Sequence, residues 1–69
     1  MVFRVYNKGR IVEDFDTFSE ASAFIYGYCV AFETQPKYEE YGPNIIKVDI
    51  GLGDDKVFFI QEVTKWIQP

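Results

Sequence analysis

The chain has no histidine and a single cysteine, Cys29. Without imidazole there is no side chain whose ordinary pKa lies near neutrality. With one thiol there is neither an intrachain disulfide nor a Cys/His zinc set. These two shortages exclude most common active sites. Cys29 lies in an apolar stretch, where a free thiol acts as a small buried hydrophobe, and a reducing, cytoplasmic setting is expected. Basic residues are scarce as well: seven Lys and Arg face eleven Asp and Glu, for a formal charge of −4. Arg4, Lys8, Arg10, Lys37, Lys47, Lys56 and Lys65 are spread singly along the chain, so no basic patch is expected to meet a phosphate backbone. Nucleic acid is therefore not an expected partner, and a basic protein surface suits the chain better than an acidic one.

Long apolar runs are missing too. The longest uncharged apolar stretch, Ala23 to Phe32, is about half of the ~20 residues that a membrane span needs. Met1-Val2-Phe3-Arg4 has neither the basic start nor the long apolar stretch of a secretory signal, so no membrane partner is expected.

Motifs that carry chemistry are likewise lacking. Gly51-Leu52-Gly53 is too short for a dinucleotide cradle and precedes a strand-like run. Ser19 and Ser22 have no histidine or lysine within local reach to activate them. Asp14, Asp16 and Glu20 fit the start of a helix, where exposed N–H groups favour negative charge. The Asp54-Asp55 pair lacks the spacing of a calcium loop. No catalytic residue, metal or cofactor is expected, and the chain reads as non-enzymatic.

What is present is a short, apolar, foldable chain. Its 69 residues make one domain over 1–69, and 48% hydrophobic residues with 26% charged ones exclude a disordered polymer. Val2 to Tyr6 and Arg10 to Phe15 flank Asn7-Lys8-Gly9, the pattern of a tight β-hairpin. Ile11, Glu13 and Phe15 are expected on one face of the return strand, with Val12 and Asp14 on the other. Thr17-Phe18-Ser19-Glu20 is a capping box that predicts a helix from Phe18 to about Glu33. Thr34 to Asn44, with two prolines and a glycine, reads as a long loop. Ile46, Val48, Ile50 and Leu52 alternate with Lys47, Asp49 and Gly51, the period of a half-buried strand, and a last strand is expected from Lys56 to Trp66. The expected fold is α+β: a single small ββαββ domain, with an antiparallel sheet of about four strands and one helix packed on one face.

The helix holds the surplus. Phe18, Ala21, Ile25, Tyr28, Cys29 and Phe32 share a stripe suited to lie on a sheet. The far side should then be polar. Instead it carries Ala23, Gly27 and Ala31 at fourfold spacing, with Phe24 on one flank and Tyr26 and Val30 on the other. Small residues every fourth position let another helix come close, and a glycine inside a helix costs about 1 kcal/mol against alanine. The expectation is a protein-binding face and a homodimer. Tyr38, Glu39, Glu40 and Tyr41 in the long loop are a secondary contact patch. Alternatively, the loop folds back so that Tyr38 or Tyr41 fills the helix groove of its own chain.

The second face of the sheet competes for the role of interface. With Phe3, Val5, Val48, Ile50, Val57, Phe59 and Val63 assigned to the core, it is expected to present Val2, Tyr6, Val12, Phe58, Ile60 and Trp66. Charges among them rank it below the helix. Two other functions are compatible with the sequence. One is an acidic inhibitor or adaptor that places Glu13, Asp14, Asp16, Glu39, Glu40, Asp54 and Asp55 in the basic groove of a nucleic-acid enzyme. In size, charge and layout such a chain resembles the short host-takeover proteins that phages encode, with no shared motif. The other is a small-ligand pocket made by Tyr26, Tyr28, Tyr38 and Tyr41.

Overall fold

A computed structural model describes residues 2–53 and 56–63. The elements run β1 (Val2–Asn7), β2 (Arg10–Phe15), α1 (Phe18–Ala31), β3 (Lys37–Gly42), β4 (Ile45–Asp49) and β5 (Val57–Val63). The strands form one sheet in the order β2-β1-β5-β4-β3, and every neighbouring pair is antiparallel. The α+β class is as expected, but the sheet has five strands where about four were expected.

The added strand is β3, inside the segment that reads as a loop. Its residues Lys-Tyr-Glu-Glu-Tyr-Gly lie at the sheet's edge, five of the six exposed. An edge strand needs no apolar alternation, and charged residues there discourage pairing with other chains. Pro43 and the positive φ of Asn44 (61°) close a tight turn into β4, with Gly42 opposite Ile45. The prolines therefore frame a strand here.

Local rules act as expected elsewhere. Lys8 and Gly9 both take positive φ between the paired Asn7 and Arg10, the geometry of a type I′ hairpin. The capping box is formed: Thr17 Oγ1 accepts from Glu20 N at 3.1 Å, and Glu20 Oε1 accepts from Thr17 N at 3.2 Å. α1 ends in a Schellman motif, Thr34 N donating to Cys29 O at 2.8 Å and Glu33 N to Val30 O at 3.3 Å. Glu33 holds the left-handed position (φ 55°) that usually belongs to glycine. Thr34 Oγ1 donates to Ile50 O at 2.6 Å and fastens the helix end to the chain beyond β4.

Val5, Ala21, Ile25, Cys29, Val48, Ile50, Phe58 and Ile60 make the core between sheet and helix, and Phe3, Phe15, Phe24, Tyr28 and Ile46 pack around it. Two strand faces differ from expectation. In β5 the core takes Phe58 and Ile60, so Val57, Phe59 and Val63 turn to the open side of the sheet. The run Val-Phe-Phe-Ile has no alternation, and only pairing with β1, which sets Ile60 opposite Val5, fixes its phase. In β2 a bulge opposite Val5 and Tyr6 sets Ile11 beside Tyr6 on the open side, while Glu13 stays opposite Val5. The part of the final strand expected to run on to Trp66, like Asp54 and Asp55, lies outside the described residues. Among the described residues no helix is long and apolar enough to cross a membrane.

Candidate functional site: the outer face of the helix

Of the helix residues only Ala21, Ile25 and Cys29 are buried. They recur every fourth residue on the side that meets the sheet. Burial pushes the Cys29 thiol above its ordinary pKa, because a thiolate there would lose its water. The opposite side is open. Ala23, Tyr26, Gly27, Val30 and Ala31 are all exposed, Tyr26 at 51% and Val30 at 62%. No residue between Glu20 and Glu33 carries a charge. A helix that is apolar on every side belongs in an interior; this one has an interior on one side only. Nothing lies within 4 Å of where a Cβ on Gly27 would point, so the chain's own packing does not require glycine there.

The other expected contact residues are divided. Phe24 turns inward, its ring 5.3 Å from Phe15 and 5.6 Å from Tyr28. Tyr38 meets the start of the helix, its ring 6.3 Å from Phe18 and its hydroxyl hydrogen-bonded to Ser22. Glu40 is opposite Ile46 and Tyr38 opposite Val48, so both lie on the helix side of β3. Glu39 faces the open side beside Lys47, and Tyr41 stacks edge-on against Phe59 at 4.9 Å. The strand alternation thus breaks the expected loop patch into two halves. Neither tyrosine covers the Ala23, Gly27 and Ala31 groove. Tyr26, Tyr28, Tyr38 and Tyr41 do not converge: Tyr28 lies on Phe58, Tyr26 points outward, and Tyr41 is across the sheet. The acids of the alternative reading are also divided, since Asp14 accepts both Arg4 Nε (2.8 Å) and Arg4 Nη2 (3.0 Å), and Glu39 pairs with Lys47.

The open face of the sheet is the rival surface. Tyr6, Tyr41, Ile45, Phe59 and Gln61 line a shallow depression of about 260 Å³ there. Tyr6, Ile45, Phe59 and Gln61 are half-buried by their own neighbours, while Tyr41 is 64% exposed. Tyr6 OH donates to Gln61 Oε1 at 2.9 Å, and the Arg4–Asp14 and Lys47–Glu39 pairs lay long side chains across the same face. Asp14 holds the Arg4 guanidinium still more firmly protonated than usual by its hydrogen bonds. This face carries polar groups satisfied by one another, whereas the helix's outer face from Ala23 to Ala31 carries only the Tyr26 hydroxyl.

Among the described residues no cluster of three metal-ligating side chains occurs. Searches against protein-family models, curated proteins and solved structures find nothing that matches the chain.

Proposed function

We propose that this domain is a non-enzymatic protein-interaction module that pairs with a second copy of itself by burying the outer face of α1. The observation that carries the reading is the exposure of an uncharged helix side, Ala23, Tyr26, Gly27, Val30 and Ala31. Such a side offers water almost nothing to hydrogen-bond, and a second identical side satisfies it by two-fold symmetry. The exposed area of these five residues is roughly 400 Å² per copy, so a pair would bury about 800 Å², the size of a weak, concentration-dependent pair and not of an obligate dimer. The small residues at 23, 27 and 31 let the two helix backbones approach, and Tyr26 and Val30 then pack beside the crossing.

Light scattering of the full chain over a hundredfold range of concentration tests the reading. The expected mass rises from one copy to two and stops there. A constant single-copy mass at high concentration, or growth without a limit, contradicts a closed pair.

A further inference from the structure

We propose that the groove beside the N-terminal end of α1 is a docking site for an arginine side chain of a partner protein. This surface is separate from the helix's outer face, and the proposal goes beyond self-pairing. The helix lies mainly over β1, β2 and β5, which leaves the helix side of β4 and β3 less covered near Phe18. A groove of about 290 Å³ opens there. That is at the bottom of the range for small-molecule pockets and suits one long side chain.

The register explains what lines it. Ile60 is opposite Ile46, and Ile46 opposite Glu40, so one row across the sheet runs from an apolar floor to a carboxylate. In the next row Phe3 is opposite Glu62. Phe18 closes the helix side, its ring edge-on to Phe3 at 6.1 Å. Glu40 and Glu62 stand on strands separated by β4 and in adjacent rows, so their backbones are roughly 12 Å apart at ~4.8 Å per strand and ~3.3 Å per residue. Long side chains from such positions flank a group between them. Both line the groove.

Among the described residues the neighbouring cations are directed elsewhere. Arg4 and Lys47 hold Asp14 and Glu39 on the open face, and Lys37 sits opposite Asp49 on that same face. Among the described residues no salt bridge or side-chain hydrogen bond engages Glu40 or Glu62. The groove is therefore apolar below and negative at its rim. Arginine matches both properties: its weakly hydrated planar face lies on phenyl rings, and its edge donors reach carboxylates on two sides. A calcium ion needs more oxygens converging on one point, and a phosphate is repelled.

The test titrates the isotope-labelled full chain with the capped tripeptide acetyl-Leu-Arg-Leu-amide and follows backbone amide shifts. The expected shifts centre on Phe18, Glu40, Ile46 and Glu62. Glu40→Gln with Glu62→Gln should weaken binding at least tenfold, whereas Glu13→Gln with Glu33→Gln, which removes equal charge elsewhere, should change it less than threefold. Acetyl-Leu-Gln-Leu-amide should not bind. Equal losses in the two double variants, equal binding of the glutamine peptide, shifts centred on another surface, or no shifts at all would each overturn the assignment. The readout is independent of oligomeric state, so failure of the self-pairing reading leaves it intact.

Discussion

Replacing Gly27 with leucine separates folding from association. Gly27 sits mid-helix with open space where a side chain would go. Within one copy, leucine only improves helix propensity, by about 0.8 kcal/mol. In a domain this small that raises the melting midpoint by roughly 3–6 °C. Between copies the effect reverses. A pair burying about 800 Å² gains at most roughly 20 kcal/mol in apolar transfer, from which association subtracts 4–15 kcal/mol or more. A side chain wedged at the crossing holds the backbones apart and removes the contacts nearest the axis. A loss of about 3 kcal/mol weakens the pair over a hundredfold. Sedimentation velocity with thermal melts at matched low concentration reads both quantities. The reasoning predicts a more stable, monomeric variant whose melting midpoint no longer rises with concentration. A lower midpoint would show that Gly27 is packed inside its own chain, and an unchanged dimer would place the contact on another face.

Other perturbations test the framework that presents this face. Thr17→Ala removes the acceptor for Glu20 N and should cost about 1 kcal/mol, seen as a lower midpoint in a thermal melt. Glu33→Gly relieves a left-handed glutamate at the helix end and should stabilise by about 0.5–1 kcal/mol in urea unfolding, with an unchanged slope. Cys29 should react with thiol reagents only as fast as the fold opens, because it is fully buried. The folded chain holds that thiol proton more tightly than the unfolded chain. The contribution to stability is thus complete below the ordinary thiol range and disappears as pH climbs through the raised value. Cys29→Ala should remove that part of the alkaline loss in a pH series of unfolding curves.

The sequence carried the helix most clearly. The capping box at Thr17 and Glu20 and the apolar spacing of Ala21, Ile25 and Cys29 are local signals, and local signals survive without knowledge of the partner strands. The exposure of Ala23, Gly27 and Ala31 followed from the same arithmetic. β3 was hidden because Tyr38-Glu39-Glu40-Tyr41 forms an edge strand, with little apolar alternation to mark it. The phase of Phe58 and Phe59 depends on pairing with β1, a long-range event, and the position of Ile11 depends on a bulge. The groove at Glu40 and Glu62 arises from residues more than twenty apart in the chain that register alone brings to neighbouring rows. No spacing rule could have joined them.

The most direct examination of the central claim is a filtered NOE experiment on a sample mixing isotope-labelled and unlabelled copies, which detects only contacts between molecules. The account predicts cross-copy signals linking the Ala23, Val30 and Ala31 methyl groups with the Tyr26 ring. Signals confined to Tyr41, Ile45 and Phe59 on the sheet, or none between copies, would contradict it.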